Sequence, residues 1–142
     1  MLILLGVHAL LAAAAMAWPR AGRHAPWLCA LAPAAALGWL ALRAGPVLDG
    51  RPLVERAAWV PQLGLELGFR LDSFGLLMGV LVAGVGALVL VYSRWYLAAD
   101  RPDLGRFCGY LTAFAGAMLG LVLADNLFVL YVCWELTSVT SY

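Results

Sequence analysis

The chain has 142 residues, of which 65% are hydrophobic and only 12% are charged. Soluble domains contain roughly 45–50% apolar and 25% charged residues, so this composition excludes both a soluble globular protein and a disordered one. A net charge of +1 leaves no basic surface for phosphates, and nucleic acid is not expected as a partner. The composition therefore predicts an all-α membrane protein, a multi-pass bundle of transmembrane helices embedded in a lipid bilayer.

Five apolar runs can cross, or nearly cross, a bilayer core of roughly 30 Å at 1.5 Å per helical residue. They predict helices over residues 1–18, 27–42, 73–92, 107–124 and 127–142, within one transmembrane unit covering 1–142. The first run also resembles a signal peptide, but no positive charge precedes it, which favours a retained helix. Pro33 interrupts the second run, and membrane helices tolerate such a proline when neighbours satisfy the freed carbonyl.

The segment 43–72 is the long polar stretch of the chain, and its end has the period of a strand. From Leu63 to Leu71, leucine and phenylalanine alternate with glycine and charged residues, which is typical of a β strand. A lone strand cannot cross lipid because its backbone groups would be unpaired. We therefore expect an extramembrane strand or hairpin on the helix ends, acting as a cap on the bundle rather than as a ligand site.

Arginines in the loops indicate the orientation of the helices. The fourth loop, around Asp125, carries no arginine. The first and third loops together carry five: Arg20, Arg23, Arg94, Arg101 and Arg106. Cytoplasmic first and third loops would place the amino terminus and the strand segment outside the cell membrane. The margin over the opposite orientation is one arginine, since the second loop carries four.

Small residues are expected to pack the helices. Pairs of glycines spaced four apart allow helix backbones to approach closely, and they occur at Gly75 and Gly79 and at Gly116 and Gly120. The three cysteines lie in or beside apolar runs without CxxC spacing: Cys29, Cys108 and Cys133. We therefore expect neither a metal site nor a disulfide, and no cofactor.

Two ionisable residues inside apolar runs are candidates for an ion path. His8 in the first helix is either a proton relay or a packed histidine near a helix end, and we favour the second interpretation. Glu135 follows Asn126 by nine residues, which on a helix is about 13.5 Å, close to the middle of the membrane. An ionised side chain there costs on the order of 3 kcal/mol, so such groups usually face a bundle interior or a water path.

The surroundings of Glu135 favour a functional carboxylate over a static ion pair. The proton affinity of a carboxylate depends on its hydration and on neighbouring cations, so a movable cation can make it load and release a proton. Ser138 and Thr137 follow it and are candidates for holding water in the same path. The chain contains no lysine and the five runs supply no midplane cation, so we expect the partner of Glu135 to lie outside these residues.

Several segments resemble a known transporter family. They are FRLDSFGL from Phe69, GALVLVYSRWYL from Gly86, LGRFCG from Leu104, GAMLGLVLADNL from Gly116 and WELTS from Trp134. Together they resemble the amino-terminal part of the large A-type component of Mrp-type multisubunit Na⁺/H⁺ antiporters. That component is homologous to the antiporter-like subunits of respiratory complex I, of the L type found in NADH-quinone oxidoreductase.

The resemblance implies a protein of fourteen or more helices with charged groups along the membrane midplane. It implies that Glu135 matches the family's fifth-helix glutamate, which pairs with a lysine of a later helix. Because this chain stops within the fifth helix, it looks like a fragment whose ion path is incomplete. The implied partners are other membrane subunits, with Na⁺ and H⁺ as the transported ions.

The leading hypothesis is therefore a subunit of a monovalent cation/proton antiporter, a secondary transporter and not an enzyme. The alternative is a proton-translocating subunit of NADH-quinone oxidoreductase or of a membrane-bound hydrogenase. Complex I subunits usually carry small residues after the matching glutamate, which favours the antiporter, whereas hydrogenase-linked subunits can also carry leucine there. A third hypothesis is a small assembly or anchoring protein. A deep glutamate has no use in an anchor, which argues against this third hypothesis.

Overall fold

A computed structural model describes residues 1–18, 24–97 and 103–142. Within these ranges the chain forms five helices and two strands: α1 (Leu2–Ala17), α2 (Ala25–Leu48), β1 (Leu53–Val60), β2 (Leu65–Leu71), α3 (Ser73–Tyr96), α4 (Leu104–Val122) and α5 (Leu127–Ser141). Helices α2, α3 and α4 are long and apolar enough to span a membrane, and α1 and α5 are shorter apolar helices. The predicted fold class, a multi-pass helical membrane bundle with a small β element between its second and third helices, is confirmed.

Helix α2 is longer than the predicted range 27–42. It continues through Arg43 to Leu48 and contains both Pro33 and Pro46. The Arg43 guanidinium carbon lies 5.8 Å from the centre of the Trp39 ring, so the charge rests on an aromatic face one turn back along the helix. The polar segment predicted for 43–72 therefore begins only after α2 ends.

The extramembrane element is a two-stranded antiparallel hairpin. Leu53 of β1 lies opposite Leu71 of β2, and a short 3₁₀ turn joins the strands. The periodicity of the sequence indicated β2 but not β1. The reason is Glu55, which breaks the apolar alternation of β1 and lies half-buried because its carboxylate forms an ion pair with the amino group of Met1.

The helices pack through small residues at their contacts. Helix α4 packs against all four other helices, most extensively against α1 and α5, and α2 packs mainly against α3. A Cβ atom on Gly116 would lie 2.7 Å from Cβ of His8 in α1, and one on Gly120 would lie 2.8 Å from Sγ of Cys133 in α5. Both glycines therefore allow α4 to approach its neighbours more closely than any larger residue would, as the spacing predicts.

The hairpin lies at the end of the bundle where α1, α3 and α5 begin. The Met1–Glu55 ion pair brings the amino terminus of α1 to it, and β2 leads into α3 through Asp72, whose Oδ1 accepts a hydrogen bond from the Gly75 amide. The amino terminus and the hairpin thus share one end of the bundle. Which side of the membrane this end faces stays a prediction, and Arg20, Arg23 and Arg101 lie outside the described residues.

Candidate functional site

Glu135 lies on α5, on the side of the helix that does not pack against the rest of the chain. The helix begins after Asn126, so Glu135 lies about 13.5 Å along its axis. The buried residues of α5, Val129 and Cys133, point toward α4, whereas Glu135 is exposed. Within the described parts of the chain, Glu135 forms neither a hydrogen bond nor an ion pair, so its carboxylate is available to groups outside them.

The hydroxyl groups near Glu135 bind to the backbone of their own helix. Thr137 Oγ1 donates to the Trp134 carbonyl at 2.6 Å, and Ser138 Oγ lies 3.4 Å from the same oxygen. Ser138 is exposed and Thr137 is half-buried. The structure therefore places both predicted residues on the helix of Glu135 but joins neither hydroxyl to its carboxylate.

His8 lies apart from Glu135. Its side chain is only 2% exposed, and Nδ1 lies 2.8 Å from the Leu4 carbonyl oxygen. Because a carbonyl only accepts, Nδ1 is the ring nitrogen that donates the proton in this bond. His8 lines a cleft of about 400 Å³ between α1, α4 and α5, together with Cys133 and Thr140, and Glu135 is not among the lining residues.

Asp125, which is not among the predicted site residues, joins the connection between α4 and α5 to both strands of the hairpin. Its carboxylate accepts a hydrogen bond from Arg70 Nε of β2 at 2.6 Å and lies 3.5 Å from Arg56 Nη2 of β1. The hydrogen bond with Arg70 lowers the pKa of the Asp125 carboxyl below its ordinary value of 3.8, and it raises the pKa of Arg70. The pair therefore stays ionised at neutral pH.

The backbone joins the same two elements. The Asp125 amide donates to the Gly68 carbonyl at 2.9 Å, and the Arg70 amide donates to the Leu123 carbonyl at 2.8 Å. The connection between α4 and α5 thus pairs with β2 on the edge opposite β1, and Phe69 forms a β bridge with Ala124. These bonds fix the turn before α5 to the hairpin.

Asn126 completes this contact from the position that caps α5. Its Oδ1 accepts a hydrogen bond from the Val129 amide at 2.8 Å, and its Nδ2 donates to the Glu66 carbonyl at 3.0 Å. A Cβ atom on Gly68 would lie 2.9 Å from Nδ2 of Asn126, so a larger residue at this position would displace the Asn126 amide group. We call the contact formed by Gly68, Arg70, Asp125 and Asn126 the hairpin clamp.

Part of the hairpin clamp has a signal in the sequence. An Asp-Asn pair directly before an apolar run is a typical helix start, and it indicates the cap of α5. The residues that Asp125 and Asn126 bind cannot be predicted from a local pattern, because Arg70 lies 55 positions before Asp125.

Metal-binding chemistry has no support in the described ranges. There, no three His, Cys, Asp or Glu side chains lie close enough together to hold a metal ion. Cys29, Cys108 and Cys133 are buried and unpaired, in contact with apolar neighbours. The predicted absence of a cofactor stays a prediction.

A family model places the chain in a class of membrane protein. Residues 59–108 match the model described as NADH-ubiquinone oxidoreductase (complex I), chain 5 N-terminus. The match covers the end of the hairpin, all of α3 and the start of α4. Together with the apolar helices, this match defines a multi-pass membrane protein similar to the antiporter-like subunits.

Individual relatives narrow the class further. The chain is 37% identical over 119 residues to the A1 component of the Na(+)/H(+) antiporter of Staphylococcus aureus, an alignment covering 84% of this chain and 15% of that protein. To the A1 component of strain JH9 it is 43% identical over 95 residues, covering 67% of this chain and 12% of that protein. The resemblance to the large A-type component of Mrp-type antiporters is therefore confirmed.

A solved structure has the same fold. One chain in the structure of the Mrp complex from Dietzia sp. DQ12-45-1b superposes with a TM-score of 0.77 at 37% sequence identity, covering 98% of this chain and 15% of that chain. The present chain thus spans about 15% of the length of these relatives.

Proposed function

We propose that the chain is part of a monovalent cation/proton antiporter, with Na⁺ and H⁺ as the exchanged ions. The observation that carries the proposal is the similarity to the A1 component of a Na(+)/H(+) antiporter over 84% of the chain. The Mrp complex with the matching fold supports the proposal that other membrane subunits are its partners. On this proposal the chain belongs to a secondary transporter in a cell membrane and is not an enzyme.

Glu135 is the residue we propose to carry the proton. It is a carboxylate near the middle of an apolar helix, and it is exposed on the side of α5 that faces away from the described bundle. A charge at this depth is expensive in lipid, so Glu135 requires water, a cation or another part of the protein beside it. A cation that moves toward and away from the carboxylate would make it release and take up a proton.

Ser138 and Thr137 are proposed to hold water in the proton path of Glu135. His8 is proposed as a proton-carrying residue in a separate part of that path. The two hydroxyls follow Glu135 on α5, and a hydroxyl bonded to a backbone carbonyl still offers lone pairs to water. His8 lines the cleft behind α5, which Thr140 also lines. The outside location of the amino terminus remains part of the proposal.

The decisive experiment replaces Glu135 in the complete complex. Glu135→Gln keeps the shape of the side chain but cannot lose a proton, so Na⁺-driven proton movement in sealed vesicles should fall to background while the complex still assembles. The matched control is Glu66→Gln, since the Glu66 side chain is exposed on the hairpin and outside the membrane. Full transport by Glu135→Gln would refute the role of this carboxylate.

A second candidate function is proton translocation driven by a redox reaction. It is favoured by the family model, whose description names complex I. The two functions differ in what drives the proton. Proton movement that responds to NADH and to quinone-site inhibitors, and not to added Na⁺, would favour the second.

A further inference from the structure

The hairpin clamp holds the end of a helix that is otherwise lightly packed. Of the 15 residues of α5, only Val129 and Cys133 are buried, whereas α4 buries ten of its 19. Side-chain packing within the described chain therefore fixes α5 much less firmly than it fixes α4. Within these residues, the hydrogen bonds at the amino-terminal end of α5 contribute correspondingly more to its position.

The clamp restrains that end in several directions at once. The Asp125 amide binds along the edge of β2, the Asp125 carboxylate binds Arg70, and the Asn126 amide group donates to the Glu66 carbonyl. The bond between Asp125 and Arg70 joins two ionised groups, and such bonds are roughly twice as strong as neutral hydrogen bonds. Such an anchor restricts both translation and rotation of the helix that begins there.

We propose that Asp125 is a positioning residue for Glu135, acting through the hairpin clamp. An α-helix is stiff over the roughly 13.5 Å between Asn126 and Glu135, so fixing its first turn fixes the depth and direction of the glutamate carboxylate. The proposal rests on the proposed role of Glu135 in proton transfer. It assigns the hairpin a part in the ion path although the hairpin lies outside the membrane.

The clamp also connects α5 to α3 without flexible chain between them. Arg70, which binds Asp125, is two residues before Asp72, and Asp72 caps α3. A displacement of α5 along its axis therefore pulls on the start of α3. Releasing the Asp125 carboxylate removes the charged part of this connection, while the backbone bonds and the Asn126 bond to β2 remain.

The experiment uses the complete complex carrying Asp125→Asn, which keeps the side-chain shape but removes its charge. Arg70→Gln removes the other partner and serves if the first variant assembles poorly. Arg51→Gln is the matched control, because it removes an exposed Arg51–Asp49 ion pair of the same segment that does not contact α5. Assembly, the pH midpoint of Na⁺-driven proton movement and the position of α5 are measured for each.

The position of α5 is read from a cysteine introduced by Val139→Cys, at an exposed position one turn beyond Glu135. Its rate of reaction with a water-soluble maleimide reports the exposure of this face without depending on transport. We expect Asp125→Asn to change that rate and to shift the pH midpoint by about 0.5 unit or more, whereas Arg51→Gln changes neither. Asp125→Glu keeps the charge, so its labelling rate and its pH midpoint should lie closer to those of the wild type than the values of Asp125→Asn do.

The outcomes separate this proposal from the proposed function. Unchanged labelling and an unchanged pH midpoint in Asp125→Asn, including the case in which only the amount of assembled complex falls, would overturn the positioning role. Full transport by Glu135→Gln would instead overturn the proton path. In that case, a changed labelling rate in Asp125→Asn would show that the hairpin clamp anchors α5 but has no part in transport.

Discussion

At the scale of single residues, glycines decide how closely α4 can approach α1. A Cβ atom on Gly109 would lie 2.8 Å from the Ala12 carbonyl oxygen, and one on Gly105 would lie 2.9 Å from the Ala15 carbonyl oxygen. A backbone oxygen cannot rotate away as a side chain can. The α1–α4 contact therefore depends on the absence of side chains at these two positions.

Replacing Gly109 by alanine should separate the two helices. We expect Gly109→Ala to destabilise the fold by about 1–3 kcal/mol, the usual cost of overfilling a packed contact. Gly84→Ala is the control, because nothing lies within 4 Å of a Cβ atom there, and the higher helix propensity of alanine should leave stability equal or slightly higher. SDS-induced unfolding followed by circular dichroism measures both, and equal effects would contradict the prediction.

Asp125 should make the stability of the chain sensitive to acid. Its folded-state pKa is below the ordinary value of 3.8 because Arg70 hydrogen-bonds the ionised form. The carboxylate therefore contributes stability that is fully present above about pH 5 and is lost as the pH falls through the lowered pKa. Melting curves of the wild type and of Asp125→Asn should differ at pH 7 and converge below that lowered value. A constant difference down to the most acidic pH would contradict this linkage.

At the scale of elements, the hairpin connects the beginnings of three helices. Glu55 binds the amino group at the start of α1, Asp72 caps α3, and Asp125 immediately precedes the cap of α5. The amino-terminal end of a helix carries a partial positive charge, so each of these carboxylates also lies where the helix dipole favours it. The hairpin thus lies where the amino-terminal ends of three helices meet.

The capping asparagine of α5 offers a direct test of this connection. Asn126→Ala removes both the acceptor for the Val129 amide and the donor to the Glu66 carbonyl, and it should destabilise the chain by about 0.5–2 kcal/mol. Asn126→Ser keeps an uncharged acceptor for the Val129 amide, but its shorter side chain loses the bond to the Glu66 carbonyl. We expect its unfolding midpoint to lie between those of the wild type and of Asn126→Ala. An alanine variant as stable as the wild type would show that neither bond anchors α5.

The sequence predicts these elements unequally well. Composition and apolar run length predict the helices, because spanning a bilayer requires a long apolar segment, and the period of two predicts β2. Strand β1 is hidden because Glu55 faces inward to meet the Met1 amino group. That contact joins residues 54 positions apart, and no local pattern reports it.

The sequence likewise predicts one part of the candidate site and not the other. Glu135 is predictable because a carboxylate in an apolar run is costly wherever the helix packs. The hairpin clamp is not, because Arg70 and Asp125 are ordinary loop and strand charges until the fold brings them within 2.6 Å. The separation of His8 from Glu135 likewise follows only from the packing of α1 against α4.

At the scale of the whole molecule, aromatic side chains mark the two ends of the bundle. Trp27 of α2 and Trp95 of α3 meet edge to face at 5.6 Å, and at the hairpin end Trp59 lies 5.2 Å from Phe128. Helix α3 between these levels has 24 residues and is about 36 Å long. That length matches a hydrocarbon core of roughly 30 Å with both interfaces occupied by aromatic rings.

The three cysteines provide a measure of whether the helices pack together as a whole. Each belongs to a different helix, and Cys29 and Cys108 are fully buried, while Cys133 is 8% exposed. In a mild detergent we expect all three thiols to react slowly with a maleimide, and in SDS all three should react quickly. The Val139→Cys variant is the internal control, because Val139 is exposed on α5 and the introduced thiol should react quickly in both detergents.

The order of reaction on partial unfolding follows from the packing. Cys133 contacts α4 from the lightly packed helix α5, whereas Cys29 and Cys108 lie together in the core between α2, α3 and α4. Because local opening begins where few apolar contacts hold an element, Cys133 should react first as SDS is added, and the other two should react together later. Mass spectrometry of the labelled chain at each SDS concentration resolves the three sites. Simultaneous reaction of all three would instead show that α5 unfolds together with the rest of the bundle.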